Sequence, residues 1–156
     1  MGAGDVRRKE REITDGAAIL KILERSQVLR LAISTPTVPY ILPVNFGMEP
    51  DGRVLYIHGA QSGTKYTHLA REGKVSFELD AAYGTLTKNG SVTTLYESVI
   101  GWGAAREVTD SSGKRHALER IMHQCHADTT PIDPRMAEHT RIWRIDVAEM
   151  TGKTSR

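Results

Sequence analysis

Residues 54–69 of the chain (VLYIHGAQSGTKYTHL) set an apolar strand, a glycine-containing turn and a helix with a lysine near its start in immediate succession. The free N–H groups that open a helix attract anions, and a nearby cation strengthens the attraction. Ser62 is placed to cap the helix and Gly63 to let the backbone approach a ligand, with Gly59 and Ala60 leading into the turn. Thr64 and Lys65 add a hydroxyl and a fixed positive charge, a combination that suits a phosphate monoester. The same residues also describe an ordinary capped helix with a solvated lysine, because strand, glycine and helix often follow one another. His58 closes the strand directly before the turn. It offers either a proton-transfer group or a ring hydrogen-bonded to a backbone carbonyl.

Other chemistries find less support. His116, Glu119, His123 and His126 fall within one arc of an expected helix, with Cys125 nearby, but their spacing is not a recognised ligand set and no metal site is expected. Cys125 lies inside that helix, away from an N-terminal dipole that would lower its pKa, so it reads as an inert thiol. No paired-glycine dinucleotide fingerprint follows a strand, and there is neither a Walker sequence nor a Gly-x-Ser-x-Gly elbow.

These residues need a body to position them. A chain of 156 residues with 39% hydrophobic and 26% charged residues is expected to form one globular domain with a sizeable core. The net charge of +2 is nearly balanced, and Arg7, Arg8, Lys9 and Arg11 alternate with Glu10 and Glu12, so residues 1–12 read as a solvated polar arm and not as a nucleic-acid surface. A single cysteine excludes an intrachain disulfide and fits a reducing cytoplasm. No apolar run approaches the roughly 18 to 20 residues of a membrane span, and no signal-peptide core is seen at the amino end.

Thr14-Asp15 is expected to cap a helix over about 16–25, since Ile19, Ile22 and Leu23 follow at helical spacing. Strands are expected at 27–34, 40–48, 53–58, 74–81, 91–108 and 140–147, with a helix over about 63–71 ended near Gly73 and another over about 112–126. Pro43 cannot donate to a ladder, so its strand is interrupted or at an edge there, leaving the backbone of Val44, Asn45 and Phe46 open to other partners. Residues 83–90 read as a loop, Gly101 and Gly103 as a bulge or bend, and residues after 147 as a polar tail. Six mostly consecutive strands argue for a mainly β fold, an antiparallel barrel with peripheral helices, and against a doubly wound parallel sheet.

Taken in order, the segments RKEREI (8–13), VLRLA (28–32), YILPVNFG (40–47), YIH (56–58), GTK (63–65) and YESVIGWG (96–103) resemble the FMN-binding split barrels related to pyridoxamine 5'-phosphate oxidase, most closely their 5-nitroimidazole resistance branch. The resemblance implies FMN at the interface of a homodimer, with its phosphate on Ser62, Gly63, Thr64 and Lys65. Thr64 stands where such proteins often carry an arginine, which leaves Lys65 as the only charge in the turn. It implies further that Pro43, Val44, Asn45 and Phe46 line the isoalloxazine ring and that Ser98 and Val99 reach its polar edge. Trp143, and less directly Trp102, are expected either to pack on the ring or to lie in the core. His58 takes the position of an active-site histidine. The implied activity is reduction of a small acceptor such as a nitroaromatic; the alternative is a non-catalytic flavin- or haem-binding protein.

Overall fold

The first helix forms because the Asp15 carboxylate accepts from the Ala17 N–H, and Ile19, Ile22 and Leu23 then bury one face. The computed structural model describes residues 6–128 and 130–155. In chain order it contains β1 (Glu12–Ile13), α1 (Gly16–Arg25), β2 (Val28–Ile33), β3 (Tyr40–Met48), β4 (Val54–Gly59), α2 (Thr64–Glu72), β5 (Lys74–Lys88), β6 (Ser91–Val108), α3 (Ser111–Gln124), α4 (Pro134–His139) and β7 (Arg141–Thr154). Among the described residues no helix is long and apolar enough to cross a membrane.

The strands form one antiparallel sheet in the order β1-β7-β4-β3-β2-β5-β6, and β6 also pairs with β7, so β2 to β7 close into a barrel. The expected six strands therefore make the barrel, but the sheet has seven. Strand β1 adds only two residues, paired with Lys153 and Gly152 of β7, too few to show any alternation. Its pairing also brings the end of the expected arm onto the body, where Val6 is buried as well; residues 1–5 lie outside the described residues.

Two further expectations are corrected. Residues 83–90 are not a loop: β5 runs on to Lys88 and turns into β6 through Asn89 and Gly90, both at positive φ. The tail after residue 147 continues β7 as far as Thr154. The bulge expected near Gly101 and Gly103 is present as a register shift between Trp102 and Gly103. Pro43 lies in an uninterrupted strand and pairs with Arg30, but β3 meets β4 only over Phe46–Met48. The other edge of residues 40–45 has no strand partner among the described residues, which is the opening in the barrel.

Phe46, Phe77, Leu29, Leu31, Leu55 and Leu79 fill the barrel interior. A second apolar layer, formed by Ala117, Leu118 and Ile121 of α3 with Tyr56 and Ile142, covers the outside of β4 and β7. At the end of α3 the buried Gln124 side chain donates to the carbonyls of Leu23 (2.8 Å), Ser26 (2.6 Å) and Glu24 (3.3 Å). These carbonyls lie at the C-terminal end of α1, where helical donors run out and, among the described residues, the Leu23 carbonyl otherwise accepts only the closing Ser26 N–H at 3.1 Å. Gln124→Met keeps the volume and removes the donors, so it should cost about 2 kcal/mol in urea unfolding. A cost near zero would show that these carbonyls do not depend on Gln124.

Strand β3 leads into Glu49, which accepts from the Tyr56 hydroxyl (2.9 Å), meets His116 Nε2 (2.5 Å) and pairs with Arg120 (3.3 Å). Partial burial raises the Glu49 pKa, but the bonds from His116 and Tyr56 outweigh it and the net shift is downward. Burial, with the Glu49 bond second, pushes Tyr56 up to about 12. A carboxylate lowered on folding contributes stability above its ordinary value of 4.5, and that contribution is lost as pH falls through the lowered value. Unfolding free energies measured at neutral pH and below 4.5 should therefore fall less in Glu49→Gln than in the wild type. Equal losses would remove Glu49 from the acid response.

Candidate functional site

The β4-to-α2 turn is held by a close approach that only glycine allows. A Cβ on Gly59 would overlap the Tyr66 hydroxyl. Gly63, at φ 147°, is the N-cap of α2 and no side chain caps the helix. The expectation that Ser62 caps it is thus corrected: the glycine conformation places the helix start one residue later. Asp15, Asp110 and Asp133 cap α1, α3 and α4 with their carboxylates, so the N-terminus of α2 keeps its positive end free of acidic compensation.

Lys65 lies in the first turn of α2 and its Nζ donates to the His58 carbonyl at 3.3 Å. Burial lowers its pKa, the mark of a cation partly removed from water. The His58 side chain is open to solvent on one side, yet the surrounding protein lowers its pKa, and the Lys65 charge adds to the effect. Beside them, Tyr66 is buried with its hydroxyl unpartnered, and burial raises its pKa. The guanidinium of Arg141 lies 4.7 Å from the Tyr66 ring centroid and donates twice to Glu107, each bond at 2.7 Å. Sequence reading missed Arg141 and Glu107. Their meeting depends on the pairing of β6 with β7, and no local spacing signals it.

Strand β3 alternates, with Pro43 and Asn45 outward and Val44 and Phe46 buried in the core. Val44 and Phe46 therefore offer only backbone to the outer face. One residue beyond the last β3–β4 pair, Phe46 with Ile57, stand Asn45 and His58. The structure thus assembles His58, Gly59, Ala60, Ser62, Gly63, Thr64 and Lys65 on one turn, with Pro43 and Asn45 on the neighbouring strand.

Three expected residues stand apart. Val99 is fully buried and Trp143 is 3% exposed, both inside the barrel, so neither side chain reaches the outer face. The Trp143 indole N–H has no partner. Ser98 is on β6, separated from β3 by β2 and β5, an arc of about 14 Å at the usual strand spacing. Between them the outer face exposes Val28, Ile41 and Ile100 (42%, 65% and 47%). A shallow depression of about 460 Å³ lined by Ala32, Pro39, Ser76, Ile100 and Trp102 lies on this face. A comparable cavity between α3 and α4 contains none of the expected site residues. His116 and His123 each meet a separate carboxylate, Glu49 and Asp128.

Residues 15–154 match the family model described as pyridoxamine 5'-phosphate oxidase. The chain belongs to this family. The barrel is the flavin-binding split-barrel fold. No curated protein matches the sequence. Among solved structures, the chain is similar to a candidate 5-nitroimidazole antibiotic resistance protein from Bacteroides thetaiotaomicron, with 27% identity, a TM-score of 0.84 and coverage of 92% of this chain and 86% of that one. It shares its fold with a flavocytochrome from Azotobacter vinelandii (18% identity, TM-score 0.81, coverage 99% and 73%). The same holds for an FAD- and haem-binding protein from Mycobacterium smegmatis (16% identity, TM-score 0.78, coverage 94% and 74%).

Proposed function

We propose that this chain is a cytoplasmic FMN-dependent oxidoreductase, active as a homodimer, that reduces a small acceptor such as a nitroaromatic of the 5-nitroimidazole type. The observation that carries this reading is the contact between Lys65 and the His58 carbonyl at the start of the uncapped helix α2. It sets a phosphate-sized cationic turn and an imidazole side by side. Lys65 and the turn Ser62-Gly63-Thr64 would hold the FMN phosphate, and the ring would lie along Pro43 and Asn45, where the β3 edge has no strand partner. The outer face between β3 and β6, where exposed Val28, Ile41 and Ile100 surround the Arg30–Glu78 ion pair, supports a second copy covering the ring, with Ser98 at the far rim.

FMN supplies two-electron transfer when bound. The protein's part is to orient the ring, exclude water and deliver a proton. With its pKa lowered, His58 is neutral at pH 7 and gives up a proton readily once it has taken one. His58→Ala should retain the yellow flavin absorbance and lose nitroreduction by roughly a hundredfold. Turnover equal to the wild type would remove His58 from the mechanism.

The fold shared with a flavocytochrome and a haem-binding protein supports a second reading, a flavin- or haem-binding protein without turnover. Bleaching of the flavin by a reduced nicotinamide nucleotide, and its recovery with a nitro compound, favours the enzyme. Colourless protein that takes up haem favours the alternative.

A further inference from the structure

Two cations rest on one aromatic ring beside the β4-to-α2 turn. Lys65 Nζ lies 4.9 Å and the Arg141 guanidinium 4.7 Å from the Tyr66 ring centroid. Gly59 is what lets them meet. It is the register partner of Arg141 on β7, so a side chain on Gly59 would stand next to that of Arg141 on the same face of the sheet. The Cβ that Gly59 lacks would lie 3.0 Å from Lys65 Nζ and would overlap the Tyr66 hydroxyl. The phenol takes that space, with the ammonium at its edge and Arg141 on the neighbouring strand.

The two cations differ in what they hold. Among the described residues Lys65 donates only to a neutral acceptor, the His58 carbonyl at 3.3 Å, so its charge is left for a ligand. Arg141 donates through Nε and Nη2 to the two oxygens of Glu107, each at 2.7 Å. A guanidinium and a carboxylate in this contact largely cancel each other's field at a third group. Among the described residues the Glu107 carboxylate accepts from no other donor, so its bonds are confined to Arg141. The pair is not sealed in: the two side chains are 22% and 31% exposed. A ligand at the turn therefore meets one free cation, one masked cation and the carboxylate that masks it.

We propose that Glu107 determines which anions this turn accepts: by occupying Arg141 it limits the turn to a phosphate monoester, which Lys65 and the helix start can hold, and disfavours a diphosphate. A diphosphate would draw on both cations, and the Glu107 charge repels its second phosphate. The proposal rests on the reading of this turn as a phosphate site.

The test follows binding of inorganic pyrophosphate, FMN and riboflavin to the full chain by titration calorimetry. Glu107→Gln keeps the size of the side chain and unmasks Arg141, so pyrophosphate should bind roughly tenfold more tightly than to the wild type, the value of one charge-assisted hydrogen bond. Adding Arg141→Gln should return that affinity to the wild-type value, and riboflavin, which has no phosphate, should respond to neither change. Pyrophosphate affinity unchanged in Glu107→Gln, or an increase that survives Arg141→Gln, would overturn the role of Glu107. If Glu107→Gln does not fold, the double variant, in which both charges of the pair are removed together, carries the test. It should bind pyrophosphate as the wild type does, and weaker binding would show that Arg141 already reaches the anion, which overturns the proposal. FMN and riboflavin report on the flavin reading separately: tighter pyrophosphate binding in a protein that takes up neither flavin counts against that reading alone.

Discussion

Gly47→Ala should destabilise the protein by about 3 kcal/mol or more, among the largest effects open to a single methyl group. Gly47 sits in β3 directly beneath α3, and an added Cβ would overlap the backbone carbon and oxygen of Arg120 and the backbone nitrogen of Ile121. No side chain can rotate away to make room, so the helix itself would have to lift. Lifting α3 opens the apolar layer that Leu118 and Ile121 form with Tyr56 and Ile142, and it withdraws Gln124 from the end of α1. Thermal unfolding should show a midpoint about 10 °C lower for a chain of this length. Gly16→Ala is the control: nothing lies within 4 Å of its added Cβ, and the midpoint should hold or rise slightly. Equal midpoints for the Gly47 variant and the wild type would mean that α3 is not seated on β3 as described.

Lys65→Gln should lower FMN affinity by roughly ten- to a hundredfold, the value of one charge-assisted hydrogen bond to a phosphate. Riboflavin, which lacks the phosphate, should bind the variant and the wild type about equally. The comparison isolates the charge from the fit of the ring. Lys65 is the cation bonded within this turn, where Thr64 supplies only a hydroxyl. Arg141 is close to Tyr66 but is committed to Glu107 by two short bonds, so it should not substitute for the lost charge. If both ligands lost affinity in parallel, Lys65 would be shaping the turn and not holding the phosphate.

Local patterns carried a good deal of this structure. The apolar spacing of Ile19, Ile22 and Leu23 behind Asp15 marked α1, and the helix is found at Gly16–Arg25. Gly73, expected to end the helix over 63–71, closes α2 in the left-handed conformation. Each of these depends on a few neighbouring residues, so the sequence carries the whole instruction. Residues 83–88 and 148–154 were harder to read because neither shows the alternation of apolar and polar residues that marks a strand with one buried face. The first stretch is exposed on both faces, and the second is held by register with β6 and β1.

The capped helices, the core strands, the glycine-dependent turn around Lys65 and the membership of a known barrel family are legible in the chain, because short-range sterics and ordered motifs encode them. Which side of each strand faces inward is settled on folding, since that follows from closing β6 onto β7. Closure sends Val99 and Trp143 into the core, turns Pro43, Asn45 and His58 toward the outside, and carries Ser98 three strands away. It also brings the guanidinium of Arg141 together with the carboxylate of Glu107. These groups are far apart in sequence and are joined by register alone.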